Sequence, residues 1–240
     1  MAWFFTDEEI RGGRYIITGE NARHIQKSLR MKLGEELTIC DSRQTQYNCR
    51  ICGFTDGVEV EVTDSFPCKN EPDTKITLYQ ALPKGDKMDY IVQKCVELGV
   101  YEIAPVITAR CVSRPDEKAI VKKTARWQKI ALQAAMQSRR GIVPRVLPAV
   151  PFSQAVKNAG HGLNIIFYEL GGESVKTIIG SAPKSLGMFI GSEGGFEEAE
   201  VRMVTEAGGR AATLGKRILR AETAPLAALS IIMYQTGNFE

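Results

Sequence analysis

Residues 186–207 read L-G-M-F-I-G-S-E-G-G-F-E-E-A-E-V-R-M-V-T-E-A and decide the fold class. Their first part, Leu186–Gly191, is a short apolar run of the kind found in buried strands. Their last part, Glu197–Ala207, has apolar residues at helical spacing and carboxylates in its first turn, which complement the dipole of a helix N-terminus. A glycine-rich loop, Gly191–Gly195, joins the two parts. The segment therefore predicts a strand–loop–helix unit, the repeating element of an α/β fold.

The alternation of strand and helix patterns continues on both sides of this unit. Apolar strand-like runs alternate with amphipathic helical stretches between residues 74 and 235, which favours a mostly parallel sheet with helices on both faces. Further strands are predicted at Thr74–Leu82, Tyr101–Ala109, Leu163–Tyr168 and Ala211–Leu214, and helices at Asp86–Leu98, Glu117–Ser138, Glu173–Ile179 and Thr223–Gln235. Ligands of such sheets bind at the carboxyl ends of the strands, so the candidate site lies in the loops that follow them.

The first seventy residues have a different pattern, in which short alternating runs are separated by polar turns. Strands are predicted at Leu37–Cys40, Tyr47–Phe54 and Gly57–Asp64, and a helix-like stretch at Asn21–Met31. Short strands at close spacing predict a small β-barrel. A polar, proline-containing connector, Lys69–Asp73, follows the last strand. We therefore expect two domains, a β-barrel at 1–70 and the α/β domain at 71–240.

Basic residues are concentrated in one stretch of the chain. The net charge is only +3, but residues 108–148 hold ten Lys or Arg residues against Asp116 and Glu117 alone. Such a local excess is typical of a surface that binds a polyanion such as RNA, although a solvated charged face is the alternative. On the helix predicted there, the basic positions share one face and Trp127 lies on the inward face. The RNA-binding candidates are His24, Arg30, Arg114, Lys118, Lys122, Arg126, Arg139 and Arg140.

The sequence argues against a phosphate at the glycine loop Gly191–Gly195. The helix predicted after this loop begins with Glu197, Glu198 and Glu200, whose carboxylates would repel a phosphate at the helix N-terminus. The chain contains neither a Walker pattern nor a G-x-G-x-x-G motif. A glycine loop flanked by carboxylates favours a neutral or cationic ligand held by main-chain groups. A turn that serves only chain geometry is the alternative.

The loop at residues 214–223, L-G-K-R-I-L-R-A-E-T, combines cations, aliphatic side chains and a carboxylate. Ile218 and Leu219 could cover a flat ring. Arg217 and Arg220 could hold a phosphate or orient a carboxylate through two-point hydrogen bonds. This composition favours a binding or catalytic role for the loop.

Several stretches in the same order resemble a known family. They are L-R-M-K-L-G-E-E (29–36), K-G-D-K-M-D-Y-I-V-Q-K-C-V-E-L-G-V (84–100), R-C-V (110–112), R-W-Q-K-I-A (126–131), Q-S-R-R (137–140), M-F-I-G-S-E-G-G-F-E-E-A-E-V (188–201) and L-G-K-R-I-L-R-A-E-T-A (214–224). Together they cover nearly the whole chain and resemble the RsmE family. Its members are bacterial small-subunit rRNA uridine-N3 methyltransferases of the SPOUT class.

The resemblance implies a PUA-like β-barrel followed by a SPOUT-type α/β methyltransferase domain with a deep trefoil knot. It also implies an obligate homodimer that uses S-adenosyl-L-methionine to methylate N3 of one uridine in the decoding region of 16S rRNA, in the small ribosomal subunit. Carried over by position, the cofactor would contact Leu170, Gly191, Gly195, Leu214, Gly215, Ile218 and Leu219. Its positive sulfonium and lack of phosphate agree with an acid-flanked glycine loop.

A chemical hypothesis follows from the proposed acceptor atom. Uridine N3–H is a weak acid, so the nitrogen becomes nucleophilic only as its proton leaves. Glu222 and Glu193 are the carboxylates expected to take or orient that proton. Arg217 and Arg220 are expected to stabilise the negative charge that develops on the ring. Ion pairs that only hold the loops in place are the alternative for each of these four residues.

The chain departs from the usual family pattern near the predicted site, at Ser192 (usually Pro), Ala221 (usually Thr) and Pro225 (usually Ala). These departures bear on the rate and the cofactor affinity rather than on the expected activity. Two other functions are separate alternatives: a non-catalytic RNA-binding or ribosome-assembly module, and a SPOUT methyltransferase that acts on another RNA position. No metal is expected, because no second cysteine pair or nearby histidine completes a zinc-ligand set with the C-x-x-C pair at Cys49 and Cys52. Without a secretory signal or a long apolar segment, we expect a cytoplasmic protein with no membrane contact.

Overall fold

The computed structural model describes residues 2–41, 43–180 and 183–239. Its contacts divide the chain into two compact units. One comprises Met1–Glu71 and Ala135–Val143, and the other comprises Pro72–Ala134 and Pro144–Glu240. The segment 135–143 thus clusters with the first unit, although we placed it in the second domain. A long-range ion pair between Arg140 and Glu71 joins this segment to the rest of the first unit, and sequence periodicity does not show such a contact.

The first unit is built on a five-stranded sheet with the strand order β1-β3-β4-β5-β2. The strands are β1 (Ala2–Thr6), β2 (Arg14–Ile17), β3 (Glu36–Asp41), β4 (Thr45–Gly53) and β5 (Val58–Pro67). All neighbours are antiparallel except β1 and β3, which are parallel. The two edge strands are joined by a 2.8 Å hydrogen bond between Thr6 Oγ1 and the Tyr15 hydroxyl. A sheet whose edges meet in this way is curled, as the barrel prediction requires.

The three strands predicted in this unit are confirmed, but β1 and β2 were missed. Ala-Trp-Phe-Phe-Thr in β1 and Arg-Tyr-Ile-Ile in β2 do not alternate between polar and apolar residues, so the two-residue period gives no signal there. The helix-like stretch is α1 (Gly19–Arg23), which continues as a π-helical segment, His24–Leu29. It covers one side of a core that includes Phe4, Ile25 and Val58.

A buried ion pair fastens segment 135–143 to the rest of the first unit. Arg140, which is 3% exposed, donates two hydrogen bonds to the Glu71 carboxylate, at 2.8 and 2.7 Å. The Gly141 backbone N–H donates a third, at 2.7 Å. Charge-assisted, two-point bonds of this kind fix both distance and direction, so Glu71 holds the segment in one position.

The second unit is an α/β domain with an eight-stranded sheet in which every pair of neighbours is parallel. Its strands are β6 (Lys75–Ala81), β7 (Glu102–Ile107), β8 (Arg145–Val146), β9 (Val150–Pro151), β10 (Leu163–Phe167), β11 (Glu173–Ser174), β12 (Ser185–Ile190) and β13 (Arg210–Thr213). The strand order is β11-β13-β10-β12-β6-β7-β8, and β9 pairs with β7. Because β13, β10 and β12 are neighbours, the loops after these three strands emerge side by side.

The helices of the second unit pack in two groups. They are α2 (Lys87–Glu97), α3 (Glu117–Gln137), α4 (Phe152–Asn158), α5 (Val175–Ile178), α6 (Glu198–Glu206) and α7 (Thr223–Gln235). Helix α7 contacts α2 and α5, whereas α4 contacts α6. Helix α3 begins where Asp116 accepts a 2.8 Å hydrogen bond from the Ala119 N–H, a typical N-terminal cap.

All predicted strands and helices of this unit are confirmed to within a few residues, and α7 has the predicted bounds. The short elements β8, β9, β11 and α4 were missed, because two to seven residues are too few to show a period. None of the helices in the described parts of the chain is long and apolar enough to cross a membrane. The same residues contain no cluster of three or more metal-ligating side chains.

The Glu71–Arg140 pair yields a stability prediction. Glu71→Gln leaves a buried guanidinium without its counter-charge and should lower the free energy of unfolding by about 3–5 kcal/mol. Urea denaturation followed by circular dichroism measures this change. The matched control is Glu173→Gln, which breaks the two-point pair with Arg210 at about half exposure and should have a much smaller effect. Equal effects of the two substitutions would contradict the role of Glu71.

Candidate active site

The loops after β10, β12 and β13 surround a cavity of about 500 Å³. Its wall is apolar where Ile190, Leu214 and Leu219 line it, and polar where the glycine loop and the charged side chains begin. A cavity of this size, mostly apolar with a few polar groups, suits a cofactor-sized ligand. Its place at the carboxyl ends of parallel strands is where the α/β prediction located the site.

The glycine loop after β12 requires glycine at two positions. A Cβ on Gly191 would lie 3.0 Å from the Gly195 Cα, so two stretches of backbone meet there. Gly195 has a left-handed φ of +67°, and a Cβ on it would collide with the Glu169 carboxylate. The Gln80 side-chain amide donates to the Gly191 carbonyl at 3.2 Å and fixes the loop from the buried side. Main-chain groups therefore border this side of the cavity at close range.

The N-terminus of α6 does not offer a phosphate site. Glu197 and Glu200 form a reciprocal capping box, in which the Glu200 carboxylate accepts the Glu197 N–H at 2.9 Å. The other Glu200 oxygen accepts the Ala109 N–H at 2.8 Å. These carboxylates use the free N–H groups and place negative charge where a phosphate would bind. The prediction that this loop excludes phosphate agrees with the structure.

The loop after β13 supplies one exposed apolar side chain and two cations. Ile218 is 86% exposed although it lines the cavity, so its side chain stands at the open rim. Arg217 and Arg220 also line the cavity and are exposed. Among the described residues, no carboxylate lies within 4.0 Å of either guanidinium in an ion pair. Both positive charges therefore remain available to a ligand.

One cluster of charges closes the side of the cavity formed by α2. The Lys87 ammonium lies 2.7 Å from Glu193 Oε1 and 3.4 Å from Glu222 Oε2. The Lys84 backbone N–H also donates to Glu193, at 3.2 Å. Burial opposes ionisation of Glu193, but its hydrogen bonds from Lys87 and from backbone N–H groups prevail and lower the pKa of its carboxyl. The hydrogen bond to Glu193, helped by the charge of Glu222, raises the pKa of Lys87.

The residues present fit the sulfonium cofactor implied by the sequence resemblance. Ser192 lines the cavity, and none of the described residues forms a hydrogen bond with its buried hydroxyl. A buried polar atom without a partner is costly, so such an atom at a cavity wall indicates a ligand group that bonds to it. The apolar wall suits a flat ring, and Glu169 and Glu193 suit a positive centre.

The comparisons with known proteins agree with this geometry. A family model described as an RNA methyltransferase domain matches residues 69–233, and one described as an RNA methyltransferase PUA domain matches residues 17–52. Ribosomal RNA small subunit methyltransferase E of Bacillus subtilis is 38% identical over 231 residues, which cover 92% of this chain and 90% of that protein. The chain belongs to the ribosomal RNA small subunit methyltransferase E family.

Solved structures of two similar proteins carry the cofactor. Ribosomal RNA small subunit methyltransferase E from Neisseria gonorrhoeae, bound to S-adenosyl methionine, is 34% identical with a TM-score of 0.89 over 98% of each chain. A methyltransferase from Legionella pneumophila, in complex with the same cofactor, is 30% identical with a TM-score of 0.90 over 98% of each chain. The predicted family and fold class, a PUA-like domain before a SPOUT-type α/β domain, are confirmed. The trefoil knot stays a prediction.

Most of the cofactor-binding residues predicted from the family resemblance lie together. Gly191, Gly195, Leu214, Gly215, Ile218 and Leu219 all line the cavity. Leu170 does not: it is 77% exposed and lies just beyond Glu169, which does line the cavity. Of the four catalytic candidates, Glu193, Arg217 and Arg220 line the cavity, and Glu222 lies behind them against Lys87.

The sequence reasoning missed Lys87 and Glu169. Lys87 lies in the stretch 84–100 that carried part of the family resemblance, but a lysine at the start of a helix gives no sign of its distant partners. Glu169 is separated by 26 residues from Gly195, whose missing side chain makes room for it. Only the adjacency of β10 and β12 brings the two together.

The RNA-binding candidates fall into three groups. Arg30, Lys118, Lys122 and Arg139 are exposed. Three others already contact groups of the protein. His24 is half-buried, with its ring edge-on to Phe4, and Arg126 forms an ion pair with Asp89. Arg114 donates hydrogen bonds to the backbone carbonyls of Thr108 and Ala109. Arg140 needs correction, because its guanidinium is buried and bound to Glu71 and thus does not face an RNA phosphate.

Proposed function

We propose that this protein transfers the methyl group of S-adenosyl-L-methionine to N3 of one uridine in the decoding region of 16S rRNA. The observation that carries the proposal is the cavity at the carboxyl ends of three neighbouring strands. Its wall is main chain where Gly191 approaches Gly195, and it combines carboxylates with two arginines that form no ion pair within the described residues. The acidic, phosphate-free interior of this cavity fits a sulfonium cofactor. The cations at its rim fit an RNA substrate.

The bound cofactor supplies a methyl carbon activated for in-line displacement by its positive sulfur. In this step the carbon–sulfur bond breaks as the bond between that carbon and uracil N3 forms, and the N3 proton must leave. We assign that proton to the carboxylate pair of Glu222 and Glu193. Arg217 and Arg220 stabilise the negative charge on the uracil oxygens, because no carboxylate of the described residues forms an ion pair with either guanidinium. The apolar residue at the rim, Ile218, covers the site and excludes water.

The RNA is held by the basic face of α3 and by residues of the first unit. Lys118 and Lys122 are exposed on successive turns of α3, whereas Trp127 is buried on the opposite side. We include His24, Arg30, Arg114, Arg126 and Arg139 among the contacts and leave Arg140 out. Exposed cations on one helix face bind phosphates and make the affinity depend on salt.

We further propose that the protein is a homodimer that uses α7. This helix is apolar on all sides, T-A-P-L-A-A-L-S-I-I-M-Y-Q, yet only one side is buried within the chain. Ile231 and Tyr234 are 39% and 67% exposed, three residues apart on the same face. A helix that is apolar all round is normally buried on all sides, so a second copy of the chain is the expected cover.

The first test is methyl transfer to 16S rRNA or 30S subunits, with identification of the modified nucleoside. We expect N3-methyluridine from the wild type. Gly191→Ala should reduce cofactor binding by about tenfold or more, because its Cβ would lie 3.0 Å from the Gly195 backbone and displace the loop. Gly160→Ala is the matched control, since it also lacks a left-handed φ and has nothing within 4 Å of its Cβ. RNA binding without cofactor binding would instead identify an assembly module, and a methylated ribose or tRNA would identify another SPOUT activity.

The basic face of α3 yields a salt-dependence prediction. Lys118→Ala/Lys122→Ala should weaken RNA binding and lower the slope of log affinity against log salt by about 2, one for each lost phosphate contact. The control is Lys157→Ala/Lys184→Ala, which removes two exposed lysines outside the basic stretch. A slope that stays at the wild-type value in the α3 variant would show that this face is merely solvated.

The exposed face of α7 yields a prediction about assembly. Tyr234→Asp places a charge in the proposed interface and should convert the dimer to a monomer in analytical ultracentrifugation. Val121→Asp is the control, because it replaces a comparably exposed apolar residue, 69% accessible, on a different helix. A wild-type monomer at micromolar concentration would rule out the homodimer.

A further inference from the structure

Glu169 is a carboxylate at the cavity wall without a counter-ion inside the described parts of the chain. It lies in the loop after β10, is exposed and lines the cavity. Among the described residues, none forms an ion pair or a hydrogen bond with its side chain. The residue before it is still held by the sheet, because the Tyr168 N–H donates to the Ala212 carbonyl of β13 at 2.9 Å. The end of β10 therefore presents a negative charge to the cavity.

The Glu169 carboxylate lies against the main-chain side of the cavity. It occupies the space that a Cβ on Gly195 would need, so it is next to the backbone of the glycine loop. Three carbonyl oxygens of that loop already accept hydrogen bonds within the chain, namely those of Gly191, Ser192 and Gly194. Glu169 thus adds a full negative charge to a wall whose carbonyl oxygens are in use.

The other charged side chains around the cavity do not supply such a charge. The second lining carboxylate, Glu193, is bound by the Lys87 ammonium at 2.7 Å and by the Lys84 N–H. The cations of the loop after β13, which also line the cavity, are Lys216, Arg217 and Arg220. These cations repel a positive ligand, so such a ligand needs a carboxylate closer to its charge than they are. Of the cavity-lining residues in the described chain, Glu169 is the carboxylate that has no cation beside it.

S-adenosyl-L-methionine has one charge without a counter-charge of its own. Its α-ammonium and α-carboxylate neutralise each other, whereas its sulfonium has no anion beside it in the molecule. Transfer of the methyl group leaves the sulfur as an uncharged thioether, in S-adenosylhomocysteine. The donor and its product therefore share the adenosine and amino-acid parts and differ by one methyl group and one positive charge.

We propose that Glu169 is the counter-ion of the sulfonium and makes the cavity distinguish the methyl donor from its product by charge. This inference rests on the proposed function, within which it assigns the residue that recognises the donor's charge. The carboxylate attracts the sulfur only while the sulfur carries the methyl group. Once the methyl group has moved, the product is held by its adenosine and amino-acid parts alone, and a new donor molecule replaces it more readily.

The test is calorimetric titration of the wild type and of Glu169→Gln with three ligands at low ionic strength. Glutamine has the size of glutamate, so the substitution removes the charge alone. The affinity for S-adenosyl-L-methionine should fall by about five- to tenfold, as expected for one ion pair at a partly exposed site. Sinefungin, in which a protonated amine replaces the methylsulfonium, should lose a similar factor. The affinity for S-adenosylhomocysteine should change by less than about twofold, which also shows that the variant is folded.

The matched control is Glu206→Gln. Glu206 is the last residue of α6, is exposed and lies outside the cavity. All three affinities should match those of the wild type. An equal loss for donor and product in Glu169→Gln would assign the carboxylate to the α-ammonium or the ribose hydroxyls and overturn the proposal. An unchanged affinity for the donor, or an equal loss in Glu206→Gln, would overturn it as well.

These titrations do not require methyl transfer, so the two proposals can fail separately. A wild type that binds the donor through the charge of Glu169 but methylates no 16S rRNA would refute the proposed function and support this inference. A wild type that methylates 16S rRNA, with a Glu169→Gln variant that keeps the donor affinity, would do the reverse. No binding of S-adenosyl-L-methionine to the wild type at millimolar concentration would refute both.

Discussion

The site depends on a close approach of backbone to backbone that only glycine permits. A Cβ on Gly191 would lie 3.0 Å from the Gly195 Cα, and Gly195 has a left-handed φ of +67°, which residues with a side chain rarely adopt. A side chain at either position would therefore strain or shift the loop. Because the wall is made of main chain, its hydrogen-bonding groups lie at the surface of the cavity. The parallel pairing of β10 with β12 supplies the rigid frame that holds the two loops at this distance.

The charges follow a consistent arrangement around that frame. Carboxylates of Glu197 and Glu200 occupy the α6 N-terminus, and the single cation of Lys87 contacts both Glu193 and Glu222. The arginines of the loop after β13 line the rim and form no ion pair with any carboxylate in the described parts of the chain. Such a distribution separates an inner part suited to a positive ligand from an outer part suited to an anionic polymer. The carboxylates next to the glycine loop thus distinguish it from a phosphate-binding loop at a helix N-terminus.

Much of the fold was predictable because its elements are long and periodic. The α/β alternation after residue 74, the helix at Thr223–Gln235 and the alternating valines of β5 all produced clear signals. Elements of two to five residues, such as β2 and β9, carried no period, and the contact of segment 135–143 with Glu71 left no local trace. At the site, six of the seven predicted cofactor-binding residues line the cavity, because each belongs to a loop that follows a predicted strand. Leu170 follows such a strand too, but its side chain is exposed, and side-chain direction is not encoded in loop position.

The sequence by itself determined the class of the fold, the strands whose carboxyl-end loops surround the cavity, and the acidic start of α6. These follow from periodicity and from charges next to one another in the chain, which are local properties. Only the tertiary structure decided which distant groups meet: Arg140 with Glu71, Glu169 with Gly195, and Lys87 with Glu193 and Glu222. A charged side chain has the same appearance in a sequence whether it faces water, RNA or a buried partner. Its role depends on the neighbours within a few ångströms, and those are set by the strand order of the sheet.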